Sequence, residues 1–380
     1  MSDRPLEGIK VVDLSRVLAG PYATMMMADL GAEVVKVEPP WGDDTRTWGP
    51  PWVGDESAYY LSINRGKRSV VLDLRRSGDR DHLLALVDDA DVMVESFRTG
   101  QLEGFGLGYA EVLAVRNPRL VFASLSAFGR TGPGRDLPGY ATLIEARSGF
   151  LDITGEPEGP PTKMGVALVD ILAGCHLMHA VSTALYERER TGSGRRIDVS
   201  LFESAMSALV NVAGNHLMGG VEPKRVGNTH PTVVPFEVFP TADRDVMVTA
   251  GNDTQFGRLC DLLGRPDLAS DPRFVTNGAR CEHRVALRVE LVAAFKQRTS
   301  AEWIEVATAA GVPVGPINTV SEAFADPLTE HHELIHEVEH PRLGTLRTVR
   351  HPVRYDGKAP TSPRPSPQLG EHNEEILADR

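Results

Sequence analysis

At 380 residues, 41% hydrophobic and 24% charged, the chain has the make-up of a soluble enzyme with more than one lobe. A formal charge of -12 argues against wholesale binding to nucleic acid or an anionic membrane, although a local group of arginines can still hold a small anion. Three widely spaced cysteines, Cys175, Cys260 and Cys281, suit neither a disulfide framework nor a metal site.

The first 130 or so residues alternate two periods. Valine-rich runs at 10–14 and 33–37 flank a Met/Ala-rich stretch at 21–30 that stops at Gly31, which reads as strand, helix, strand. Strands are expected again at 69–74, 91–95 and 120–124, with a helix at 79–89. Such alternation predicts an α/β fold with a Rossmann-like open parallel sheet, and ligands at the carboxyl ends of its strands. A long helix is expected at 169–189, stopped by Gly192 and Gly194, then a short strand at 196–199 and a helix at 201–217. Strands at 236–239 and 246–249, followed by helices at 254–263, 284–297 and 301–310, predict a smaller α+β lobe. The proline-rich stretch from Ala359 is expected to be extended. The borders are then 1–200 for a large domain completed by 345–380, a linker at 201–226, the small domain at 227–325, and a return linker at 326–344.

No apolar run reaches membrane-spanning length: residues 167–186 come closest, and Asp170, His176 and His179 interrupt them. No signal pattern is visible, so a cytoplasmic protein is expected, or one of a mitochondrial-type matrix if a transit peptide precedes this sequence. The chemistry-bearing signals are few. There is no phosphate loop, no G-x-S-x-G elbow and no compact metal-ligand run. The loop after the first strand lacks the G-x-G-x-x-G glycines, which weighs against hydride transfer.

Several segments together resemble the class III CoA-transferases, the formyl-CoA transferase/carnitine dehydratase type. They are LEGIKVVDLS from Leu6, AGPYA from Ala19, LGAEVVKVE from Leu30, NRGKRSV from Asn64, ADVMVESF from Ala90, ITGEP from Ile153, GVPVGPIN from Gly311 and LGEH from Leu369. The resemblance implies an interlocked homodimer that moves CoA from an acyl-CoA to a carboxylic acid. CoA is then a substrate, and no permanent cofactor or metal is expected. An aspartate is the family's nucleophile, passing through an anhydride and an aspartyl-CoA thioester. The match to its segment is GVALVD, which ends at Asp170.

The same resemblance places Val17 and Leu18 beside the pantetheine thiol, Leu72 and Arg75 near the adenine and its phosphates, and Ser96, Phe97 and Arg98 along the CoA. Two basic positions of the family fall here on Gly104 and Pro138, so Arg130 or Arg135 is expected to compensate. Ala250-Gly-Asn-Asp matches a glycine-rich loop covering the reacting carboxylates, with Gly251 kept and Asn252 and Asp253 substituted. GDDTRTWGPP from Gly42, YYLSIN from Tyr59 and KRVGNTHPTVVPF from Lys224 resemble the succinyl-CoA:glutarate (hydroxymethylglutarate) branch. A dicarboxylate acceptor needs a cation for its distal end; Arg46 beside Trp48 is the first candidate and His230 the second.

Two alternatives stay open on sequence: an α-methylacyl-CoA racemase and a non-catalytic CoA-binding protein. The racemases pair their aspartate with a histidine in a Gly-His-Asp segment. Tyr140 stands at that histidine's position here, which weighs against two-faced proton transfer.

Overall fold

Alternating valine runs close into one sheet in the computed structural model, which describes residues 4–378. In chain order the strands are β1 (Lys10–Leu14), β2 (Glu33–Glu38), a small hairpin of β3 (Trp52–Val53) and β4 (Glu56–Ser57), then β5 (Lys67–Val71), β6 (Val92–Glu95), β7 (Val121–Ser126) and β8 (Arg195–Ser200). The main sheet has six strands in the order β5-β2-β1-β6-β7-β8, every neighbouring pair parallel. From β1 the chain winds outward through β2 to β5, then returns to the other side of β1 for β6. The order therefore reverses between β1 and β6, where open α/β sheets bind ligands.

Both faces of the sheet are covered, as a parallel sheet requires. On one face Val12, Leu14, Val35 and Met93 pack with Leu83, Leu86 and Val87 of the helix Ser77–Asp88. On the other, Val11, Val34, Val92 and Val121 meet Ala23 and Met27 of the helix Ala19–Asp29 and Leu177, Val181 and Ala184 of the helix Leu168–Thr191. That last helix is apolar and long enough to cross a membrane, but the face it buries is built into this core. The two helices approach closely at Gly174, where a Cβ would lie 2.7 Å from the carbonyl oxygen of Ala19.

One unit comprises the residues through Phe150, Lys163–Gly220 and those from Glu330 onward; the other comprises Leu151–Thr162 and Val221–Thr329. The second holds β9 (Phe236–Pro240), β10 (Asp245–Thr249) and β11 (Val314–Pro316) in an antiparallel sheet of order β11-β10-β9. Phe239, Val246, Phe256, Leu287, Phe295 and Trp303 form its core. In the first unit, β12 (Ile335–His340) and β13 (Gly344–Val349) make a hairpin. The proline-rich tail then runs past residues 61–66, with Gly66 N–H donating to the carbonyl of Arg364 at 2.9 Å and Ser366 Oγ donating to the carbonyl of Leu61 at 2.8 Å.

Three details differ from the sequence pattern. β5 begins at Lys67 rather than Ser69, because Lys67 is fully buried with its ammonium 3.0 Å from Asp13. Apolar periodicity cannot anticipate a charge neutralised across the sheet. Residues 201–217 form two helices, Leu201–Ala208 and Val210–Leu217, broken at Val210, whose φ is +36°. The segment taken as a linker thus carries helices of the first unit, while residues 151–162 sit with the second.

Candidate active site

Asp170 is the third residue of the helix Leu168–Thr191. Gly174, one turn on, lets that helix close on Ala19, so Asp170 and the loop after β1 line one cleft of about 440 Å³. Burial, and then the Glu145 carboxylate, push the Asp170 carboxyl up from 3.8 to about 6. Glu145 is almost wholly buried in the helix Ala141–Arg147 and accepts from Met164 N–H at 3.4 Å. Tyr59 feels the same charge: burial, then Asp170, push its hydroxyl up to about 12, so it stays a neutral donor.

Val17, Leu18, Ser96, Phe97, Arg98 and Tyr140 line this cleft with Asp170, as do Arg16 and Arg135. Val17 and Leu18 follow β1, and Ser96 to Arg98 follow β6, so the strand reversal brings the two loops together. Ser96 Oγ ties them by accepting from Arg16 N–H at 3.0 Å.

A second recess of about 180 Å³ shares Arg16 and Phe97 with the first and is lined by Leu72, Arg75, Trp41 and Phe105. Arg75 lies 5.3 Å over the Trp41 ring while its fork holds Asp73 at 2.7 and 2.8 Å. Flat apolar walls beside an arginine suit a nucleobase with phosphates at its edge. Among the described residues no group of His, Cys, Asp or Glu is arranged to hold a metal.

Two sequence assignments change. Arg46 does not offer its fork to a ligand. Its side chain is 9% exposed and its guanidinium is closed on Glu38 by two bonds of 2.8 Å; it also bonds the Tyr60 hydroxyl at 2.6 Å and the carbonyl of Pro367 at 3.2 Å. Replacing Arg46 with alanine strands a buried Glu38. The expected loss is about 3 kcal/mol of stability in urea unfolding, with the preference for dicarboxylates over monocarboxylates unchanged. Arg130 is likewise occupied, bonded to Glu95 and to the carbonyl of Phe97, whereas Arg135 is more than half exposed.

Trp48 is two-fifths exposed and packs edge-on against Tyr59, 5.4 Å between centroids, but neither ring lines the cleft. In the second unit, His230 Nδ1 accepts from Thr232 N–H at 3.1 Å and its ring packs on Phe236. Gly251 N–H donates to Gln255 at 2.9 Å, and Asn252 caps the helix Asp253–Leu262.

Sequence reasoning passed over Arg16, Asp43 and Glu145. Arg16 was findable, since it is the second residue after the first strand of a doubly wound sheet. Glu145 was not, because only packing brings its helix against that of Asp170.

A half-buried carboxylate at the strand reversal of a parallel sheet, beside two recesses that share an arginine, is the arrangement of an α/β enzyme with an anionic substrate. The chain belongs to the CoA-transferase family III, whose model matches residues 6–373. It is 42% identical to a succinate–glutarate CoA-transferase of Agrobacterium fabrum, covering 99% of this chain and 95% of that one. Identity to an acetyl-CoA:oxalate CoA-transferase of Acetobacter aceti is 43%, covering 97% and 93%. Among solved structures, a CAIB/BAIF family protein from Brucella suis is 41% identical over the whole of both chains, with a TM-score of 0.88.

Proposed function

We propose that this CoA-transferase moves CoA from succinyl-CoA to a short dicarboxylic acid, with Asp170 as nucleophile. The observation that carries the reading is a half-buried carboxylate, raised to about 6, in a cleft lined by the loops after β1 and β6. CoA transfer needs no net proton movement. The Asp170 carboxylate attacks the thioester carbonyl, forming a C–O bond as the C–S bond breaks, and CoA leaves as thiolate. The thiolate attacks the aspartyl carbonyl of the anhydride, releasing the donor acid as carboxylate and leaving an aspartyl-CoA thioester. The acceptor carboxylate then repeats the two steps in reverse, regenerating Asp170. Desolvation sharpens the nucleophile, while Tyr59 supplies a neutral hydroxyl near the charge.

A racemase needs a second acid/base group on the opposite face of the α-carbon. Tyr140, at that position, is 65% exposed. The relatives named for glutarate and oxalate favour a dicarboxylate acceptor. With Arg46 occupied, Arg16 is the best remaining cation in the cleft for its distal end. Its pairing to Asp44 is loose, 3.3 Å with both side chains about two-fifths exposed, and an incoming carboxylate can replace Asp44. Arg16→Gln is expected to raise KM for dicarboxylates roughly tenfold while leaving monocarboxylates unchanged.

The direct test offers succinyl-CoA with a panel of mono- and dicarboxylates and identifies the CoA products by mass spectrometry. A new dicarboxyl-CoA supports the reading. No transfer, but solvent exchange of the α-proton of a branched acyl-CoA, replaces it with the racemase. Because only ionised Asp170 attacks, kcat/KM is expected to rise about tenfold per pH unit below about 6 and to level off above it.

A homodimer and a cytoplasmic location belong to the same proposal. The helix Val210–Leu217 buries none of its residues, leaving Val210 and Leu217 71% and 81% exposed. A second copy would cover them, which light scattering would show as twice the chain mass.

A further inference from the structure

Val17 has a φ of +70°, a left-handed backbone that is strained for a β-branched residue. Side chains hold the loop around it. Ser15 N–H donates to Asp13 at 2.9 Å, and Ser15 C=O accepts from Lys36 Nζ at 3.0 Å. Arg16 N–H meets Ser96, and Val17 N–H donates to both carboxylate oxygens of Asp43 at 3.3 and 3.4 Å. Asp43 is itself clamped: it accepts from Lys36 Nζ at 2.9 Å, from Thr45 N–H at 3.0 Å and from Thr45 Oγ1 at 2.8 Å. Its own N–H donates to Glu38 at 3.0 Å, and Glu38 is the partner of Arg46. Lys36 and Asp43 are essentially inaccessible, 0% and 1% exposed. A buried ion pair often stabilises a fold no better than well-packed apolar residues, but it directs hydrogen bonds that apolar residues cannot.

We propose that Asp43, clamped by Lys36, is a positioning residue for CoA transfer: it holds the Val17 peptide left-handed and so fixes the Val17–Leu18 wall of the cleft that Asp170 lines. The inference rests on Asp170 being the nucleophile. The thioester carbonyl must be presented to that carboxylate, and a wall displaced by about 1 Å can lower the rate a hundredfold without weakening binding of the distant adenine. Arg46 belongs to the same device, acting through Glu38.

A double-mutant cycle on the full chain, with succinyl-CoA as donor and glutarate as acceptor, tests this. Asp43→Asn is expected to lower kcat about thirtyfold while KM for succinyl-CoA moves less than about threefold. Glycine adopts a left-handed backbone without being held there, so in the Val17→Gly background the same change is expected to lower kcat less than about threefold. Thr45→Val keeps the buried ion pair while loosening Asp43, which covers the case in which Asp43→Asn does not fold. It is expected to lower kcat about fivefold with Val17 present and by less than about twofold in Val17→Gly. Equal losses in both backgrounds, or a folded Asp43→Asn with wild-type kcat, overturn the positioning role. Transfer surviving in Asp170→Asn would instead remove the nucleophile reading, a separate and recognisable failure.

Discussion

Asp170→Asn is expected to lose CoA transfer by at least about a thousandfold while becoming the more stable protein at neutral pH. Burial and Glu145 raise the folded carboxyl from 3.8 to about 6. The folded chain therefore binds this proton more tightly than the unfolded chain does. Below about 3.8 both states are protonated and ionisation exacts no penalty; above about 6 the fold must hold a carboxylate it disfavours, so the penalty is complete. Asparagine removes it. The gain is on the order of 2 kcal/mol at pH 7 and above, less than the full shift implies because the cleft is open on one side. Urea unfolding at pH 4 and pH 7.5 checks this: wild type and variant should nearly coincide at the lower pH and separate at the higher. A variant less stable than wild type at pH 7.5 would mean that Asp170 is a structural ion-pair partner instead of a strained functional group.

Lys67→Met is expected to produce the largest loss of stability, about 3–5 kcal/mol, because it strands Asp13 in the sheet. The Lys67 ammonium reaches Asp13, the carbonyl of Pro21 and the Asn64 side chain, each at 3.0 Å. Burial pushes the Asp13 carboxyl up, but Lys67 and Lys36, with the hydroxyls of Ser15 and Thr24, outweigh it and bring it down to about 2. Asp13 thus contributes stability that is full above its ordinary 3.8 and is lost as the pH falls through about 2. An unfolding midpoint within error of wild type in denaturant would show that water or a rearranged Lys36 satisfies Asp13.

Lys67 and Asp13 belong to a buried polar layer that also contains Asp43, which ties stability to function. Asp13, Lys36, Lys67, Asp43 and Glu38 are all buried: Asp13 near the end of β1, Lys36 and Glu38 in the second half of β2, Asp43 in the loop after β2, and Lys67 at the start of β5. They hold the loops whose exposed sides form the site. Charge buried at this density is unfavourable unless every partner is in place, so the loop after β1 has little freedom to choose another conformation.

The sequence by itself determined the α/β class, most strands to within two residues, and the segment that carries Asp170. These rest on local periodicity and on contiguous motifs, which need no knowledge of what packs where. The family resemblance named residues after β1 and after β6, and the α/β alternation put ligands at the carboxyl ends of the strands; the strand order that brings those two loops together belongs to the fold. Tertiary structure alone decided what the charges do. Arg46 had the residue type and the neighbours of a ligand-binding arginine, yet Glu38 and Tyr60 close on its fork. Lys67 had the polarity of a loop residue, yet it is the fully buried first residue of β5, its ammonium on Asp13. Whether a charged side chain faces a substrate or another charge depends on partners many residues away, and on a desolvation balance that only three-dimensional packing sets.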